Sequence, residues 1–330
     1  MLNSFQVIEI VVISFFSIYL IDKIAKFFNT FDYPSKYKIH KNKVTKLSGL
    51  GLIIIVINSF ILFNFSHEIG NALTVLILLV LVGFFDDLKE LNASTKLILM
   101  IIPIIIYIQE TGLVTTLGDY KYFKINLNSF SFVFSLCCIL LLTNAYNYID
   151  GMDGLLASIS SISLFFFIIF LPLSEIKLIA PFIIFILIFL IFNTGIIKKF
   201  PKVFIGDSGS IGLGFLFCFI IIHYSQNELL IHESVAIWPV AFVVYEFLTI
   251  NIIRIKNKKN PLNRDLDFIF NKLLKNNSLI KTLFYCNLIN IFYCLIGYII
   301  FLNKFYLTSL FLFFVMFLVY FYFRLKLNKN

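Results

Sequence analysis

The sequence predicts an all-α integral membrane protein of about eleven transmembrane helices, with the N-terminus outside and the C-terminus cytoplasmic. Three observations carry that expectation. The 330 residues are 60% hydrophobic and only 14% charged. Continuous apolar runs recur from end to end, near the roughly 20 helical residues that cross a hydrocarbon layer. Finally, 23 of the 27 Lys and Arg residues fall between alternate runs, on one side. A β-barrel would show alternating segments of about ten residues, and these runs do not alternate.

The runs lie at 5–22, 47–66, 71–85, 97–113, 129–146, 155–173, 177–196, 211–225, 235–253, 282–301 and 305–323. The first contains Glu9 and lacks a basic leader or a small-residue cleavage site, so it reads as a retained span. An odd count places the termini on opposite sides. Segments 23–46, 86–96, 197–210, 254–281 and the tail after 323 then share the basic side, against Lys121, Lys124, Lys177 and Lys304 on the other. The positive-inside rule makes the basic side cytoplasmic. Anionic headgroups account for the net charge of +9, and no nucleic-acid partner is required. Residues 1–330 read as a single polytopic membrane domain, with active-site loops near 23–46, 86–96, 147–154, 197–210 and 254–281. Cys137, Cys138, Cys218, Cys286 and Cys294 sit in predicted spans without CxxC spacing and read as small buried hydrophobes.

The chemistry is concentrated at the cytoplasmic ends of the spans. Asp86-Asp87 follows one span, Asp150 and Asp153 another, and Asp207 a third. Carboxylates are costly near hydrocarbon and mark function there. Five on one face point to a divalent cation and a phosphorylated substrate, because Mg²⁺ takes one or two carboxylates plus phosphate oxygens and water. The first loop, with Lys38 and His40, forms a basic lip suited to phosphate, and Lys96 opens the span after the Asp pair. Asn144, Asn147, Asp150 and Asp153 recur every third residue. They can converge only through a tightened last turn or a break at Gly151 and Gly154, because a continuous helix turns them apart. Ser208 and Ser210, flanking Gly209, suit either phosphate or a helix cap. The 254–281 loop carries Pro261, Arg264, Asp265 and Asp267 and is long enough to fold over a ligand.

Taken together, the Asp-Asp pair, Asn-x-x-Asn-x-x-Asp-Gly-x-Asp-Gly at 144–154 and Phe-x-Gly-Asp-x-Gly-Ser at 204–210 resemble the polyprenyl-phosphate N-acetylhexosamine-1-phosphate transferase family. The resemblance runs from about Asp32 to Leu274. It implies eleven helices, a bacterial inner (cytoplasmic) membrane and an active site on the cytoplasmic face. It implies transfer of an N-acetylsugar 1-phosphate from a UDP-sugar to polyprenyl phosphate, with UMP leaving. By matched positions it implies that Asp207, with Asp87, holds Mg²⁺ (Mn²⁺ as the substitute). Asp86 and Asp87 would serve catalysis and phosphate positioning. Asn147, Asp150 and Asp153 would line the nucleotide site, with Phe204 near uracil. Lys38, His40, Lys96, Asn144, Ser208 and Arg264 complete the expected substrate-binding set. A homodimer is compatible with this reading.

One departure changes the expected donor. Where the family carries Asp-Arg-x-His-x-His-His, this chain reads Asp265, Leu266, Asp267, Phe268, Ile269, Phe270 and Asn271. Phe donates no hydrogen bond to a sugar hydroxyl. A 6-deoxy N-acetylsugar is therefore the expected donor, as an alternative to a UDP-N-acetylhexosamine. Two other readings compete: a noncatalytic family member and a membrane transporter or ion-binding protein. Transporter sites sit near the midplane on broken helices, whereas these acids sit at one face.

Overall fold

The computed structural model describes residues 2–34, 42–259 and 267–329. The chain enters as α1 (Ser4–Phe27) and continues into a hairpin of two short antiparallel strands, β1 (Phe31–Asp32) with β2 (Val44–Thr45). A tight turn then starts α2 (Gly51–Leu62), followed by α3 (His67–Lys89) and α4 (Ala93–Glu110). A second hairpin, β3 (Thr116–Tyr120) and β4 (Phe123–Asn126), precedes α5 (Ser131–Ile149) and α6 (Leu155–Phe170). Next come α7 (Ile176–Thr194) and α8 (Gly206–Ile222), which ends in a π-turn at His223–Asn227. The short α9 (Glu233–Ala236) leads to α10 (Ala241–Lys256). The chain closes with α11 (Ile269–Leu274), α12 (Leu279–Asn303) and α13 (Tyr306–Lys329).

Every predicted run contains a helix, but the lengths differ. Among the described residues, nine helical segments are long and apolar enough to cross a membrane, while Ser48–Leu62 and Leu155–Phe170 are shorter. The expected span 155–173 stops at Phe170 because Leu171, which precedes Pro172, takes an extended conformation (φ −107°, ψ 152°). The expected 71–85 instead grows to His67–Lys89, starting where Ser66 caps the Ile69 amide. Polar residues at both ends hid those extra turns. Glu9 is accommodated within α1 by the Asn58 amide, which donates to it at 2.8 Å. Cys137 is exposed and Cys138 only half-buried, contrary to the expectation for all five cysteines, because that side of α5 faces away from the helical core.

Helix α8 is the centre of the assembly. Of its most apolar stretch, 94% is buried, against 11% for α13. It packs on α3 and α5, and glycines allow the approach. A Cβ on Gly83 would lie 2.5 Å from the Asp207 carbonyl, and one on Gly49 would fall on the Gly209 backbone. Such contacts leave no room for any side chain, so the start of α8 is fixed against both α3 and the turn before α2.

The segment before α8 is tied to the first hairpin by backbone bonds. Phe204 N donates to Thr45 O at 2.8 Å, Ser48 N to Phe204 O at 3.2 Å, and Gly49 N to Ile205 O at 2.9 Å. Two of the expected active-site loops are therefore one backbone unit. The β3–β4 hairpin belongs to the opposite end, where Gln226 just past α8 accepts from Thr115 N at 2.9 Å.

Candidate active site

The last turn of α3 and the first turn of α8 meet end to side. Asp87 is 6% exposed, and its two oxygens accept from Asp207 N and Ser208 N, each at 3.0 Å. These are orphan amides of a helix start, which an anion satisfies while opposing the positive end of the dipole. Gly206, at φ +74°, makes the turn that aims them; a Cβ there would lie 2.5 Å from the Asp87 carboxylate. Asp87 thus holds the α8 terminus in place.

Asp207 faces the other way. The Lys96 ammonium bridges it to Asp86, at 2.5 Å from Asp207 and 2.8 Å from Asp86. The Asn147 amide donates to Asp207 Oδ1 and to Ser210 Oγ, each at 3.0 Å. Asp86 also accepts from Leu91 N at 2.7 Å, which fixes the turn between α3 and α4. Four helices therefore contribute to one polar knot: α3, α4, α5 and α8.

Asp150 ends α5, and Gly151, Met152 and Asp153 turn the chain into α6. The expected break is present, but the four polar residues diverge. Asn147 reaches Asp207, whereas the Asn144 amide turns back to Leu140 O at 2.7 Å. Asp153 pairs with Lys202. Burial, together with the carboxylates of Asp207, Asp87, Asp32 and Asp153, pushes the Asp150 pKa well above the ordinary carboxylate range.

Ser208 requires a correction. It was expected to meet phosphate, but it is fully buried under Gly49 and its hydroxyl donates to Ile205 O at 3.2 Å. The reason is that α8 begins at Gly206, about a turn earlier than the expected 211, which rolls Ser208 into the core. Phe204 is half-buried, with Lys202 Nζ 5.5 Å from its ring centroid. Lys38, His40 and Arg264 lie outside the described residues.

Two functional features, Lys202 and Asp22, were not picked out from sequence, and Asp32 was legible only as part of the first-loop pattern. Lys202 neutralises Asp153 across 49 residues; its place two positions before Phe204 was the available signal. Asp32, at the first hairpin, belongs to the electrostatic surroundings of Asp150. Asp22 in α1 is 2% exposed and accepts from Thr45 Oγ1 at 2.7 Å, so it anchors β2 beneath the site.

The donor set fits a hard cation. Asp86 and Asp207 offer carboxylate oxygens, and the bridging Lys96 already places a positive charge between them. Among the described residues no group of three or more His, Cys, Asp and Glu side chains could enclose a metal. Mg²⁺ held there would need substrate phosphate oxygens and water to finish its shell. The commitment of both Asp87 oxygens to amides makes Asp207 the more available ligand.

Residues 69–225 match the family model described as glycosyl transferase family 4. The match spans a little under half of the chain. The family 4 match contains Asp86, Asp87, Lys96, Asn147, Asp150, Asp153 and Asp207, the whole polar knot and the turn beside it. Several curated proteins are similar to the chain, those of Yersinia pestis and Salmonella typhi over about three quarters of their length. The undecaprenyl-phosphate alpha-N-acetylglucosaminyl 1-phosphate transferase of Yersinia pestis is 25% identical over 282 residues, covering 82% of this chain and 77% of that protein. The protein of the same description from Salmonella typhi is 23% identical over 280 residues, covering 82% and 76%. A probable undecaprenyl-phosphate N-acetylglucosaminyl 1-phosphate transferase of Bacillus subtilis is 26% identical over 137 residues, covering 40% and 38%.

Proposed function

We propose that this chain transfers an N-acetylsugar 1-phosphate from a UDP-sugar to undecaprenyl phosphate, at the cytoplasmic face of a bacterial inner membrane, and so starts a lipid-linked envelope glycan. The observation that carries the reading is the Asp86–Lys96–Asp207 bridge at the tip of α8, beside the Asp150 turn. In the reaction, a phosphate oxygen of the lipid bonds to the β-phosphorus of the donor. The bond from that phosphorus to the oxygen shared with the α-phosphate breaks, and UMP leaves with the electron pair.

Two anions must approach one another, so the barrier is largely electrostatic. Asp207, with Asp86 beside it, would hold Mg²⁺, which when bound would neutralise developing phosphate charge. Lys96 supplies a positive group beside both carboxylates, free to turn to phosphate once they have another counter-charge. Asn147 fixes the rotamer of Asp207, and Asp87 fixes its backbone. Lys202 and Phe204 together present a cation and a ring face at the side of the Asp150 turn, suited to a nucleotide.

Purified protein incubated with undecaprenyl phosphate, Mg²⁺ and a panel of UDP-N-acetylsugars should yield a diphosphate-linked lipid identifiable by mass spectrometry. Excess chelator should abolish that product and added Mg²⁺ or Mn²⁺ restore it. Full turnover in chelator would remove the metal from the mechanism.

The donor preference turns on the half-buried Phe268 ring, which the buried Phe270 backs. Phe268 and Phe270 stack on each other, centroids 5.2 Å apart, beside the Asp150 turn. Phe270 is 2% exposed and packs on Gly151, so it does not anchor the loop to the bilayer surface. Burying a sugar hydroxyl unpaired against the Phe268 ring costs roughly 1–3 kcal/mol, whereas a methyl group is tolerated. A 6-deoxy N-acetylsugar should outcompete UDP-N-acetylglucosamine at equal concentration. Equal or better use of the hydroxylated sugar would refute the preference and leave the transferase reading intact.

A further inference from the structure

The last helix has an unusual economy. It is the least buried of the nine long apolar helical segments, yet Arg324 at its end is fully buried. Its partner is Glu246 of α10, 1% exposed. Arg324 Nε donates to Glu246 Oε2 at 2.9 Å, and a terminal guanidinium nitrogen to Oε1 at 3.2 Å. Tyr320 Oη donates to the same carboxylate at 2.6 Å. An ion pair out of water is a poor source of stability, since both charges lose hydration. Its presence on an otherwise lipid-facing helix calls for another role.

The remaining bonds of the pair supply one. Ile269 N donates to Glu246 Oε1 at 2.6 Å, and the Arg324 guanidinium donates to Asp267 O. Both hold the main chain of the strap that enters α11. Asp267 itself is half-buried; burial raises its pKa, but Lys272 at 3.1 Å and Lys259 at 3.4 Å outweigh that and hold it below the usual range. The strap carries Phe268 and Phe270. Phe268 meets Tyr148 edge-on at 5.8 Å, and the Arg254 guanidinium lies 5.1 Å from the Tyr148 centroid and 5.7 Å from that of Phe268. Phe270 is pressed on Gly151, where a Cβ would lie 2.5 Å from its ring. Gly151 separates Asp150 from the residues that lead to Asp153.

We propose that Glu246 and Arg324 are positioning residues for the nucleotide-sugar: a latch by which the C-terminal helix seats the 267–270 strap on the Asp150–Gly151 turn. The proposal rests on the transferase reading above. The latch touches neither the Asp86–Lys96–Asp207 bridge nor any reacting atom. Its loss should loosen the donor wall and leave the chemical step in place.

The test compares Arg324→Gln, Arg324→Lys and the milder Tyr320→Phe with the full-length wild type. In steady-state assays, Arg324→Gln should raise the donor KM by about tenfold, while kcat and the KM for undecaprenyl phosphate stay within about threefold. Arg324→Lys should recover part of the donor KM, because one ammonium cannot span both Glu246 and the Asp267 carbonyl. Hydrogen exchange on the same samples should show faster exchange in the peptide containing Ile269, with exchange in α8 unchanged. Tyr320→Phe keeps the ion pair and should show the same two effects more weakly, so the test survives if Arg324→Gln does not fold. Unchanged donor KM and unchanged exchange at Ile269 in folded variants would overturn the latch. So would a parallel loss of kcat, both KM values and melting temperature, which is the signature of ordinary core damage. If the wild type makes no lipid product, the transferase reading fails, and exchange at Ile269 alone then decides whether the latch exists.

Discussion

Asp207→Asn is expected to lower turnover by on the order of a thousandfold while the protein keeps its detergent-stable fold. Asparagine has the same shape, and its carbonyl oxygen can still accept from Asn147, whose amide also holds Ser210. Lys96 keeps Asp86 as a partner. What disappears is the negative charge, and with it the attraction for a cation at the point where phosphate charge develops; removing one such electrostatic partner costs on the order of 10²–10³ in rate, and losing a metal costs more. Radiolabelled lipid product and size-exclusion profiles of the same preparation would measure both quantities. A near-normal rate would reduce the acidic knot to a packing feature.

Asp87→Asn should fail differently. Turnover is expected to fall by about a hundredfold, and the melting temperature should fall with it. The Asp87 carboxylate accepts from two buried amides at the α8 terminus, and an asparagine can offer a carbonyl to only one of them. The other amide would face an NH₂ group, an unsatisfied donor costing roughly 1–3 kcal/mol. The helix start would shift, and a misplacement of about 1 Å at a reacting group costs on the order of a hundredfold. Thermal melts of the two variants side by side separate the roles. Equal melting temperatures for Asp87→Asn and wild type would show that Asp87 does not anchor α8.

Much of this was legible in the sequence, and the limits have physical causes. The apolar runs reported the helices because a hydrocarbon surround forces backbone bonds to close within each segment. The short helices Ser48–Leu62 and Leu155–Phe170 fell below spanning length at points set by local backbone, such as Leu171 before Pro172. The acids were legible because few sites at a membrane edge tolerate them. Their division of labour was not. Asp86 and Asp87 are neighbours in sequence, but a helix sends them about 100° apart, one to Lys96 and the other to the α8 amides. Ser208 was misread because the helix boundary was placed about a turn late. The Lys202–Asp153 and Arg324–Glu246 pairs join residues far apart in the chain, and no local pattern announces them. The Phe residues at 268 and 270 were visible as departures, but only packing on Gly151 shows which surface they form.

The contrast between α8 and α13 bears on how such an enzyme can diversify. Asp207 rides on the helix that touches most of the core, where nearly any substitution disturbs several neighbours at once. The strap over the Asp150 turn is held instead from the periphery, by the least buried of the long apolar helices. Substitutions along that outer helix are cheap in packing, and those near its C-terminal end reach the strap. A lineage can therefore explore new donors through its last helix and its last loop without exposing the phosphate chemistry to the same mutations. Directed libraries confined to α11 and the C-terminal end of α13 are the corresponding place to search for altered sugar use.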